Sequence, residues 1–264
     1  MTKLRLWAGA AALCLASPAM AASPALPDAD PAMWVVKDED TTIYLFGTFH
    51  ALDGKTDWFN DEVKTAFDRS DELMLEALIP DDPASMQPIV MKYALDKSGK
   101  TLTSKLSPGG QKLLAAALTA MGAPVTAFDS FKPFFASMTL AAIGMQKMGI
   151  TADKGAEKTL RGAAQAAGKP VSEIENVEFQ IAMFDRIAEA DQIAMLEDLL
   201  ASLDDLPKET GRMLAAWKDG DVAGFKAIMD DSDRKGPAAH KVIFTDRNAT
   251  WAEWVDQRLD KPGT

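Results

Sequence analysis

The chain has 264 residues, 28 basic against 39 acidic side chains, a formal net charge of −11 and a single cysteine. That acidity excludes nucleic acid and anionic lipid as partners held by bulk charge. One cysteine excludes an internal disulfide and a thiolate-built zinc site.

Residues 1–22 read as a secretory signal. Lys3 and Arg5 precede an apolar run from Leu6 to Ser17, and Ala19-Met20-Ala21 places small residues where a signal peptidase reads. Cys14 follows Leu13 rather than a small residue, so lipidation is not expected. The run is shorter than the ~20 residues a membrane span needs, and no later segment is longer. The expectation is export to the periplasm with cleavage after Ala21 or Ala22, leaving no stable membrane span. Residues 23–31 form a Pro- and Ala-rich leader, and residues 32–264 form the domain.

Ala32 to Val36, the polar turn Lys37-Asp38-Glu39-Asp40 and Thr42 to Gly47 predict a β-hairpin. Asp61 to Ser70 predicts a helix, with Val63, Ala66 and Phe67 on one face and two acids in its first turn. Glu72 to Ala77 is a second buried strand. Strand, loop, helix and strand over Ile43 to Ala77 read as a βαβ-like unit with parallel neighbouring strands. Helical spacing continues over Pro83–Leu95, Gly109–Met121, Pro133–Met148 and Asp153–Ala167. Pro170 to Ile174 is a short strand. One or two helices cover Val177–Leu203, followed by Glu209–Trp217, Val222–Met229 and Ala238–Leu259. The fold class is therefore α/β: a central β-sheet with strands near 33–36, 42–47, 72–77 and 170–174, flanked by many helices.

His50 is one of only two histidines, and it stands just past the end of a buried strand in Gly47-Thr48-Phe49-His50. Strand ends of α/β sheets are where sites are built. Gly47 is read as the residue that permits a sharp turn or a close approach to a ligand. His50 suits a metal ligand or general base; a structural strand cap is the competing reading. Glu76 ends the next strand and would emerge on the same edge, where a carboxylate and an imidazole can share a divalent cation. Asp53 and Asp57 read as solvated loop acids, and Glu173 and Glu178 flank a helix start that Glu175 and Asn176 would cap. Arg247 suits neutralising a site carboxylate or binding an anionic substrate group. Asn248 is unfavourable inside a helix and so points to a polar role. His240 reads as a surface or helix-terminal residue.

These residues together resemble the TraB/GumN family, also called the TraB/PrgY/GumN/Tiki group. The likeness rests on Trp34-Val35-Val36, on Thr42 through His50, on Leu73-Met74-Leu75-Glu76, on Gly168-Lys169-Pro170-Val171 with Ile174-Glu175 and Phe179-Gln180, and on Asp246-Arg247-Asn248-Ala249-Thr250-Trp251. It runs from about Pro31 to the last residue. It implies an architecture related to the erythromycin-esterase and ChaN-like group. Animal Tiki members are membrane-associated metalloproteases that use a divalent metal. The resemblance thus implies a divalent-metal-dependent hydrolase, a peptidase among the options, acting on a peptide or small-molecule substrate. His50 and Glu76 would hold the metal cation, with Glu76, Arg247 and Asn248 in catalytic roles. A non-catalytic periplasmic binding or accessory protein, linked to polysaccharide or peptide signals, is the alternative. The family carries a second Gly-x-x-His on a strand after the Arg-Asn helix, and this sequence has none. Gly236-Pro237-Ala238-Ala239-His240 has a different spacing and lies before Arg247. A chain truncated before that strand is the expectation, with natural loss of the motif as the alternative.

Overall fold

The computed structural model describes residues 25–264, so the signal-like segment lies outside the described residues. β1 (Met33–Lys37) and β2 (Thr42–Phe46) form an antiparallel hairpin with Trp34 opposite Leu45 and Val36 opposite Ile43. Asp38 closes its turn by accepting the Thr41 N–H at 2.9 Å. α1 (Asp61–Arg69) buries Val63, Ala66 and Phe67, with Asp61 and Glu62 at its positive end. β3 (Leu73–Leu75) pairs in parallel with β4 (Val171–Glu173), Leu73 opposite Val171.

The mixed α/β class and the four strand positions hold, but the predicted pairing of β2 with β3 does not. The four strands form two separate two-stranded sheets rather than one central sheet. The last two residues explain why. Gly263 bridges Thr41 in parallel, its carbonyl accepting the Thr42 N–H at 2.9 Å, while Thr264 accepts the Asp71 N–H at 2.7 Å. Neighbouring strands lie ~4.8 Å apart, so a dipeptide held between β2 and β3 keeps their starts two spacings apart and out of reach of a mutual ladder.

The remainder is helical: α2 (Gln87–Tyr93), α3 (Leu102–Lys105), α4 (Pro108–Ala120), α5 (Pro133–Lys147), α6 (Ala156–Ala166), α7 (Val177–Asp185), α8 (Glu189–Ser202), α9 (Leu206–Lys218), α10 (Val222–Lys235), α11 (Pro237–His240) and α12 (Asp246–Leu259). Local chemistry sets several of their ends. Pro108 starts α4 behind Ser107, whose hydroxyl accepts the Gly110 N–H at 3.1 Å. Gly168 leaves α6 at φ +68°, which lets the Lys169 N–H bond back to the Ala164 carbonyl at 2.9 Å. The predicted helix over Ala238–Leu259 is interrupted by a π-helical turn at Lys241–Thr245. No helix among the described residues is long and apolar enough to cross a membrane.

Two cores form. One joins α1, α6 and α9 to the strands through Leu52, Trp58, Val63, Phe67, Leu160 and Trp217. The other joins α3, α4, α5 and α8 through Leu102, Leu114, Leu118, Leu140, Leu196 and Leu200, with Phe128 buried beside them.

Candidate active site

The site is built on the turn that follows β2. Beneath it lies an aromatic floor. Phe46 stacks on Trp58 with ring centroids 5.7 Å apart, and Trp217 of α9 meets Trp58 and Phe49, each at 5.9 Å. The Trp217 indole N–H donates to the Gly47 carbonyl at 2.7 Å, so the floor is tied to the turn by a polar contact as well as by packing. Gly47 itself has no left-handed backbone, and a Cβ added there would meet nothing within 4 Å. The close approach expected of Gly47 occurs at Gly155 instead. A Cβ there would collide with the His50 carbonyl group, whose carbon would stand 2.8 Å away.

His50 projects from this turn with its side chain 69% exposed. Its Nδ1 lies 2.7 Å from Oε1 of Glu157, in the first turn of α6, and the Thr48 hydroxyl donates to the same oxygen. Its Nε2 faces Oε2 of Glu76 at 3.9 Å. The hydrogen bond from Glu157 raises the His50 pKa above its ordinary value, against a smaller loss from burial. Burial pushes the Glu157 carboxyl up, but the bonds from His50 and Thr48 outweigh it and leave it below the usual range.

A second network holds Glu76. Its Oε1 accepts from the Arg247 guanidinium and from the Gln180 amide, the latter at 2.7 Å. Arg247 also binds Glu175, through Nε at 3.0 Å and Nη2 at 2.8 Å, and the Trp251 indole N–H donates to Glu175 at 2.9 Å. The Glu175 side chain is only 7% exposed. Burial would raise its pKa, and the hydrogen bonds from Arg247, Gln180 and Trp251 together with the Arg247 charge override that and lower it. Arg247 sits two residues past the π-helical segment, and its Nη1 donates to the Ile243 carbonyl at 3.1 Å.

The structure therefore brings His50, Glu76 and Arg247 together. It does not bring in Asn248, which is exposed on α12. Glu175 was read as a helix cap, but Asn176 alone does that work, accepting the Phe179 N–H at 2.8 Å. Asp53 caps the Lys55 N–H and Asp57 serves the leader through backbone bonds, so neither reaches His50. His240 ends α11 and packs on Phe244 at 5.0 Å. Sequence reasoning passed over Glu157 and gave Glu175 only a capping role. Glu157 is the only acid in α6 and looks like a dipole-stabilising residue; Glu175 is masked by the capping asparagine beside it.

His50 and Glu76 supply two donors whose remaining polar atoms are already held, an arrangement that fits an open divalent site rather than a closed one. Among the described residues, the three-acid cluster with the spacing of a metal site is Asp28, Asp30 and Asp61, all exposed, and His50 is not part of it. Repulsion from Asp28 raises the Asp30 pKa. Beside Glu175, a groove of ≈ 390 Å³ is lined by Glu173, Ile174, Glu175, Asn176, Phe179 and Thr250.

A family model described as the TraB/PrgY/gumN family matches residues 32–264. No curated protein and no solved structure matches the chain.

Proposed function

The chain belongs to the TraB/PrgY/gumN family, and on that premise we propose that it is an exported, divalent-metal-dependent hydrolase of peptides or of small amides or esters. One observation carries the reading. His50 and Glu76 each have one polar atom tied to a partner and one left over, and the two left-over atoms, Nε2 and Oε2, face each other at 3.9 Å. A divalent cation bound there would polarise a carbonyl and lower the pKa of water. The chain's own residues do the rest. Arg247 binds Glu76 and holds it aimed at His50, and it neutralises the buried Glu175 at the same time. Glu157 orients the imidazole. The groove beside Glu175 offers Phe179 and Ile174 to an apolar substrate group and Asn176 and Thr250 to polar ones. The N-terminal sequence supports periplasmic export.

Two donors predict weak metal binding and low turnover. Metal content after equilibration with zinc or manganese, and hydrolysis of a peptide and an ester panel, test the reading in wild type and His50→Ala. Lower metal and lower activity in the variant support it; equal metal and equal activity overturn it.

The same shortage of donors favours a second reading, a non-catalytic periplasmic binding protein. Ligand binding in the Glu175 groove that survives a chelator would select it.

A further inference from the structure

We propose that the turn opening α6, Gly155-Ala156-Glu157, fixes the tautomer of His50, so that Nδ1 carries the proton and Nε2 is the bare nitrogen turned toward Glu76. The tautomer follows from the local geometry. That the bare Nε2 is the reactive atom rests on the hydrolase reading above.

An ionised carboxylate only accepts hydrogen bonds, and a neutral imidazole has one donor and one acceptor nitrogen. Nδ1 stands 2.7 Å from Glu157 Oε1, so it must donate. Nε2 is then left as the acceptor. Free histidine in water prefers the opposite arrangement, with the proton on Nε2, so the protein must supply the bias.

The backbone around this contact is registered at three points. Leu52 and Thr151 exchange N–H···O bonds at 3.2 and 3.0 Å, and the Ala156 N–H donates to the Phe49 carbonyl at 3.0 Å. At Gly155 the two segments approach so closely that no side chain fits beside the His50 carbonyl. Glu157 follows at once, on the rigid first turn of a helix. An acid placed there only to complement the helix dipole would point to water. Glu157 is 18% exposed and aims at Thr48 and His50. The Thr48 hydroxyl, donating to the same oxygen, fixes the carboxylate's own orientation. Glu157 and Gly155 are thus positioning residues that act through His50.

The chain contains two histidines, so the test is direct. Long-range proton–nitrogen correlation spectra of the ¹⁵N-histidine-labelled protein, taken at a pH where both rings are neutral, report each ring's tautomer; His240→Gln assigns the signals. The expected result is an Nδ1–H pattern for His50 in the metal-free wild type and a shift toward Nε2–H in Glu157→Ala. An Nε2–H ring in the wild type overturns the proposal, and so does an unchanged tautomer in the variant. The wild-type spectrum decides by itself if the variant does not fold. A protein with the Nδ1–H ring but neither metal binding nor hydrolysis would overturn the hydrolase reading and leave this one standing. An active protein with an Nε2–H ring would do the reverse.

Discussion

The two cores of this molecule use their aromatic rings differently. The helical half has a leucine- and alanine-rich interior across α4, α5 and α8 and pairs its phenylalanines with one another, Phe128 with Phe131 and Phe134 with Phe184, whereas the strand half packs Phe46, Phe49, Trp58 and Trp217 under one turn. Leucine layers supply apolar burial and are tolerant of small sliding movements. Aromatic rings lose few rotamers, and Trp217 also hydrogen-bonds the backbone it covers. Apolar volume stabilises the first half. The second half spends its contacts on holding one loop, and with it His50, at a set distance from Glu76.

Substitutions in the two halves should therefore separate stability from site geometry. Arg247→Ala has the largest expected effect. It leaves Glu76 and the buried Glu175 without their cation, a loss of about 3–5 kcal/mol for a broken buried ion pair. It also reverses the acid response around Glu175. In the wild type the lowered Glu175 pKa means stability that is present above the ordinary carboxylate range and lost as pH falls. Without the arginine, burial raises that pKa, and the variant should gain stability on mild acidification. Urea melts at pH 7 and pH 5 measure both effects; parallel losses in the two proteins would contradict the role given to Arg247.

Leu196→Ala tests the other half. Leu196 is fully buried, and its truncation should cost about 2–5 kcal/mol while leaving the His50 ring signals of the folded protein where they are. Movement of those signals would show that the halves are coupled more tightly than their contacts suggest. Gly155→Ala should do the opposite. The added methyl forces the His50 carbonyl away, at about 1–3 kcal/mol for an overpacked contact, and displaces the ring signals. Gly47→Ala, three residues before His50, should change stability by less than about 0.5 kcal/mol, as its Cβ faces open space.

Acid titration separates the halves in another way, through the buried Lys105, which bridges Asp96 and Glu189 in the helical half. Burial raises the Asp96 pKa, but the hydrogen bonds from Lys105 and Ser98 and the Lys105 charge together outweigh it and bring the value down to about 2. Its contribution is complete above the ordinary 3.8 and disappears as pH falls toward 2. Asp96→Asn should lack that part of the acid slope while Glu157 and Glu175 continue to titrate, which a series of melts between pH 5 and pH 2 would resolve.

The site was about half legible in the sequence. His50 and Glu76 could be found because each follows a short apolar strand, a pattern within one segment. Arg247 could be found from the helix that carries it. Glu157 was not found and Glu175 was taken for a cap, since their local context fits an ordinary helix start, and only a distant partner distinguishes them. Gly47 was credited with a close approach that belongs to Gly155, more than a hundred residues away.

The sequence by itself determined the α/β class, the four strands, the Asn176 cap and the helix stop at Gly168, because propensity, period and capping act over a few residues. Only the tertiary structure decided that β2 and β3 are kept apart by Gly263 and Thr264, that Arg247 is committed to Glu76 and Glu175, and that His50 leans on Glu157. Those outcomes depend on which surfaces meet once the cores close, and a hydrogen bond spanning 107 or 171 residues leaves no periodicity to read.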